Sequence, residues 1–100
     1  MGAMWKAAFR ADSQAVRKFT KEIQAYARRD KEMSWATADC LAIIGEIEEA
    51  LDWLANSIEM GLINDRFFSE FDLFLVPLRG NRRFLVLMEQ AREKQRGFEI

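Results

Sequence analysis

The sequence predicts an all-α domain built from antiparallel helical hairpins, with about five main helices. Three observations carry this. Within residues 34–61, Thr37, Ala38, Leu41 and Ile44 fall at the three- and four-residue steps of one helix face, and Ile47, Ala50, Leu51, Leu54 and Ile58 form a second such stripe. Gly45 lies between the stripes and Gly61 after them, and glycine can take the left-handed conformation that ends a helix. So short a connection forces the two helices to lie antiparallel. Sliding the chain by 34 residues then repeats the pattern of large, small and turn positions: Ala8 falls on Ala42, Phe9 on Ile43, Ala11 on Gly45, Val16 on Ala50 and Phe19 on Trp53.

Taken in order, residues 5–10 read as a short or truncated helix, and Ala11-Asp12-Ser13 as a turn with Asp12 or Ser13 as cap. Residues 13–29 form a long helix with Val16, Phe19, Ile23 and Tyr26 or Ala27 inward. Asp30 caps the central unit, whose helices are expected at 34–44 and 47–60, the second opening with Glu46, Glu48 and Glu49 at the positive end of its dipole. After the loop 62–66 an aromatic run begins at Phe67 and Phe68. Pro77 removes a backbone donor, so short turns of helix near 67–69 and 73–76 are expected in place of a long one. Leu78-Arg79-Gly80 is a turn and Asn81 a cap. The last helix, 82–95, should turn Phe84, Leu87, Met88 and Ala91 inward.

Residues 31–64 resemble a tetratricopeptide repeat (TPR), a family with a 34-residue period. Ala38 stands at its small position, Leu41 at a large one, Gly45 at the turn glycine, Ala50 at the family's alanine and Leu54 at the large residue four places on. The chain departs from the motif at Ser34, where a tryptophan is expected and Trp35 is one place off. Thr37 and Leu62 replace its leucine and its closing proline. The resemblance implies a right-handed α-α superhelix. Residues 1–30 would be a partial first repeat, 31–64 a complete one, and 65–100 a degenerate repeat and C-terminal cap within a single domain. The large Phe84 falls where Ala50 does and cannot repeat its close packing. Residues 26–100 also look like the C-terminal end of TPR regions attached to bacterial signalling proteins, among them eukaryotic-type serine/threonine kinases and nucleotide cyclases. The residues concerned are Gly61, Ile63-Asn64, Asp72-Leu73-Phe74-Leu75, Leu78-Arg79-Gly80, Arg83-Phe84 and Phe98-Glu99-Ile100. Gly2-Ala3-Met4 matches a common cloning scar, which would make the chain a fragment of a longer protein.

Composition narrows the chemistry. The 100 residues include no histidine and one cysteine, so neither a Cys/His zinc site nor a Ser-His-Asp triad can be assembled. No nucleophile, base and oxyanion donors converge, and neither a cofactor nor a metal is expected. A kinase's glycine-rich loop, His-Arg-Asp run and Asp-Phe-Gly run are missing too. Cys40 reads as a small buried filler. No apolar run approaches a membrane span, and a cytoplasmic setting is the default. Net charge is segregated: seven basic and three acidic residues in 1–30 give +4, two and ten in 31–75 give −8, and six and three in 76–100 give +3. Solvated helix faces are the plain reading of this, and attraction between the ends of one copy and the middle of another the sharper one.

The expected function is non-catalytic protein–protein interaction, as a scaffold or regulatory appendage of a larger bacterial signalling protein. In TPR arrays the first helix of each repeat lines a concave groove. The resemblance places Trp35, Asp39 and Ile43 there, with Trp5 and Phe9 as the matching row of the partial repeat. Glu32, Trp35, Ala36 and Asp39 on this face do not match the lysine, arginine and asparagine with which some TPR domains grip a chaperone's terminal carboxylate. One alternative is a homodimer formed through the N-terminal helical face. Another is nucleic-acid binding through Arg79, Arg82, Arg83 and Arg96, with Arg28-Arg29 as a second basic pair; the acidic middle disfavours it.

Overall fold

Three helices close in the same way. After α1 (Gly2–Phe9), Asp12 N–H donates to the Ala7 carbonyl and Ala11 N–H to that of Ala8, each at 2.9 Å. After α3 (Lys31–Ile43), Glu46 N–H bonds Leu41 at 2.9 Å and Gly45 N–H bonds Ala42 at 3.1 Å. After α4 (Ile47–Glu59), Leu62 N–H bonds Ser57 at 2.9 Å and Gly61 N–H bonds Ile58 at 3.0 Å. Each pair satisfies carbonyls that the helix end would otherwise leave without a donor, and each needs a left-handed residue at the turn. Gly45 and Gly61 supply it at φ 83° and 109°, whereas Ala11 takes it at φ 56° despite its Cβ.

The helix starts are local as well. Asp12 caps α2 (Ser13–Ala27), accepting from Ala15 N–H at 3.1 Å. Asp30 caps α3 twice, through Glu32 and Met33 N–H at 2.8 and 2.9 Å. This double cap starts α3 at Lys31, three residues before the expected start. Likewise α1 begins by Gly2 and not at Trp5. Asn81 accepts from Arg83 N–H at 2.8 Å and opens α5 (Arg82–Gly97). Glu46 stands at the cap of α4 without a side-chain cap bond; its carboxylate pairs with Arg17.

The computed structural model describes residues 2–62, 64 and 66–97, with the backbone alone at Phe71. Ile63 and Phe98-Glu99-Ile100 of the tail pattern lie outside the described residues. All regular structure among the described residues is helical. Helix α1 packs on α2 and α3, α2 on α3, α3 on α4, and α4 on α5. The shared core holds Met4, Val16, Ala38, Leu41, Ala50, Leu51, Leu54 and Ile58. Ala27 is the inward residue at the end of α2, and Tyr26 is exposed. Phe84, Leu87, Met88 and Ala91 fix α5 by burial. Ala50 and Ala38 are fully buried where α3 and α4 meet, since small side chains allow close approach.

Residues 67–78 form no ordinary helix. A five-residue step, Asp72 N–H to the Phe67 carbonyl at 2.8 Å, makes one π-type turn (Phe67–Phe71). A 3-10 segment (Leu73–Leu78) follows, with Pro77 inside it. The segment packs on α3 and α4, burying Phe68, Leu75 and Leu78. One Arg79 guanidinium nitrogen ties its halves together, donating to the Asp72 carbonyl at 2.7 Å and the Phe68 carbonyl at 3.4 Å.

Candidate functional site

Two residues of the expected groove row on α3, Trp35 and Asp39, lie against the chain's own residues 67–78. Trp35 is half-buried; its indole Nε1 donates to Asp72 Oδ2 at 2.7 Å and its ring meets Phe67 edge-on at 5.5 Å. Asp39, one turn on, is wholly buried, so it is not presented to a partner. Among the described residues no N–H or hydroxyl reaches either of its oxygens. Its neighbour is the Asp72 carboxyl. Burial, then the hydrogen bond to Asp72, then the charge on Asp72 push the Asp39 carboxyl up to about 9. At neutral pH Asp39 therefore holds the proton. Asp72 Oδ1 is taken by Phe74 N–H at 3.0 Å. Ile43 is half-buried against the core.

The α1 row is placed differently. Trp5 and Phe9 lie one turn apart with rings 5.7 Å from centre to centre. Phe74, from the 3-10 segment, closes a triangle with them at 5.4 and 5.5 Å. Ring pairs at this spacing attract beyond their burial. Two of the triangle's corners face solvent: Phe9 is 62 % and Phe74 38 % exposed, with Leu73 and Val76 exposed beside Phe74, whereas Trp5 is half-buried against the core. Sequence spacing brings Trp5 and Phe9 together, and it leaves Phe74 out. The available signal was the run of phenylalanines ahead of a helix-breaking proline: more aromatic side chains than a short irregular segment can bury.

The basic candidates are largely occupied. Arg79 holds the 67–78 segment, and Arg83 pairs with Asp52 at 2.6 Å and Glu48 at 3.4 Å. Lys94 reaches Glu59 at 3.3 Å, and Arg17 pairs with Glu46. The basic ends thus meet the acidic middle within one chain. Arg82 and Arg96 are exposed, and the Arg28 guanidinium sits over the Trp53 ring at 4.7 Å. Burial, and then the charge on Asp39, push the Cys40 thiol up to about 12, so it stays a thiol rather than a nucleophile. The described residues include no cluster of three or more metal-ligating side chains and no helix long and apolar enough to cross a membrane. Compared with protein families, with curated proteins and with solved structures, the chain finds no significant match.

Proposed function

We propose that the chain is a non-catalytic protein-interaction module of the TPR-like helical-repeat type, working in the cytoplasm as a scaffold or regulatory appendage of a larger bacterial signalling protein. The repeat reading is supported by the like closures at Ala11 and Gly45, 34 positions apart, and by the succession of helices that each pack on the next. The appendage reading rests on the tail pattern. Two of that pattern's polar residues act on the 67–78 segment: Asp72 joins it to Trp35 of α3, and Arg79 ties its two halves together.

One observation carries the interaction reading: of three mutually touching aromatic rings, Phe9 and Phe74 are exposed beside exposed Leu73 and Val76, with Trp5 half-buried behind them. Exposed apolar surface of this kind marks a contact site. A photo-crosslinking side chain placed at Phe9, with Tyr26 on α2 as the exposed control, tests it. The reading expects a protein captured at position 9 and not at 26, which binds the purified chain and binds the Phe74→Ala variant at least ten-fold more weakly. Equal capture at both positions, or none at either, opposes it.

A further inference from the structure

Two cations follow the aromatic row of α1 in sequence. Lys6 and Arg10 each follow one residue after Trp5 and Phe9, so the two cations form a row along α1 beside the ring row. Arg10 continues the helical turn, its N–H donating to the Lys6 carbonyl at 3.2 Å. Both are exposed, and neither meets a carboxylate within ion-pair distance among the described residues. Residues 2–11 and 73–78, which supply the rings and their flanks, contain these two cations and no anion; the acids just beyond, Asp12 and Asp72, accept from the Ala15 N–H and from the Trp35 and Phe74 N–H groups. Elsewhere in the fold the cations Arg17, Arg83 and Lys94 are paired with the acids of the middle. Among the described residues no carboxylate pairs with Lys6 or Arg10, which leaves both open to the carboxylates of a partner.

We infer that this platform takes an acidic amphipathic helix of a partner protein, apolar side chains seated on Trp5, Phe9 and Phe74 and a row of carboxylates facing Lys6 and Arg10. Helical anchors suit the spacing: residues four apart on a helix are separated by about 6 Å along its axis, close to the separations of the rings. The inference rests on the interaction reading above and adds the chemistry of the partner. A second copy of this chain fits less well, because Glu46, Glu48, Asp52 and Glu59 of its acidic middle are paired with its own Arg17, Arg83 and Lys94.

The test uses two synthetic sixteen-residue helices, identical in their leucine stripe, one flanked by glutamates and the other by lysines at the same positions. Their binding to the full chain is read by fluorescence anisotropy. The glutamate peptide is expected to bind at least ten-fold tighter than the lysine peptide. The Lys6→Glu/Arg10→Glu variant should reverse that order, and Phe9→Ala should weaken both. All three substitutions are at exposed side chains, so the fold should persist. Equal binding of the two peptides, no binding, or indifference to the charge reversal overturns the inference. So does binding to phosphatidylserine vesicles with the same dependence on Lys6 and Arg10 and none to peptide, which assigns the platform to a lipid surface. Capture at position 9 of a partner indifferent to the charge reversal removes this inference and leaves the interaction reading standing.

Discussion

Trp35 and Asp72, 37 residues apart in sequence, are joined by a 2.7 Å hydrogen bond from the indole nitrogen to the carboxylate. This contact, with Asp39 buried beside it, fixes the irregular segment 67–78 across α3. The other buried hydroxyls, those of Thr20, Ser34, Thr37 and Ser57, all donate to backbone carbonyls. Asp39 has only another carboxyl beside it among the described residues, and a buried polar group with so little support is costly.

Asp39 should therefore make stability depend on pH. Unfolded, it ionises near 3.8; folded, near 9. Between these values the folded chain holds a proton that the unfolded chain lacks, so stability falls as pH rises. The slope is at most about 1.4 kcal/mol per pH unit. Asp39→Asn keeps a donor toward Asp72 and removes the titration. The variant should be more stable than the parent in urea at pH 8, by a margin that shrinks toward pH 5. A parent and variant with parallel pH profiles would show that Asp39 is ionised in the fold.

Removing the indole donor tests the other half of the contact. Trp35→Phe keeps an aromatic ring near Phe67 and leaves Asp72 Oδ2 without its partner. A loss of about 1.5–3 kcal/mol is expected, as for a hydrogen bond to a charged group. Combined with Asp72→Asn the two losses should fall short of additive, which a double-mutant cycle in urea measures.

Ala11 and Gly45 occupy the same left-handed turn 34 residues apart, one with a side chain and one without. Ala11→Gly should stabilise the fold and Gly45→Ala destabilise it, each by about 1 kcal/mol. Apart from its chain neighbours, nothing lies within 4 Å of a Cβ built at Gly45, so the cost there is backbone strain. Thermal unfolding of the two variants should show shifts of opposite sign.

The ion pairs between α4 and α5 should matter little. Arg83 is 41 % exposed and its partners Asp52 and Glu48 are 53 % and 76 % exposed. Arg83→Ala should cost less than about 1 kcal/mol, and the cost should shrink further in 0.5 M salt.

The elements legible in the sequence are those set by neighbours along the chain. Asp12, Asp30 and Asn81 reach N–H groups two or three residues on, and Gly45 and Gly61 close helices within six residues; such signals do not depend on the rest of the fold. The segment 67–78 was only half legible. Pro77 says that a long helix cannot form there, and it does not say where the chain goes. Four-residue spacing put Trp35 and Asp39 on one face and gave no sign that residues from Phe67 onward would cover that face. The Asp39–Asp72 pair and the Phe74 corner of the aromatic triangle depend on contacts between distant parts of the chain, which periodicity does not encode.

The most direct measurement is the solution mass of this 11.7 kDa chain by light scattering across a dilution series, with Phe9→Ala and Phe74→Ala run beside it. An interaction module whose platform awaits a different protein should be a monomer at every concentration, in the parent and in both variants. A dimer that either substitution dissolves would contradict this: the aromatic triangle would then be an interface between two copies of the chain.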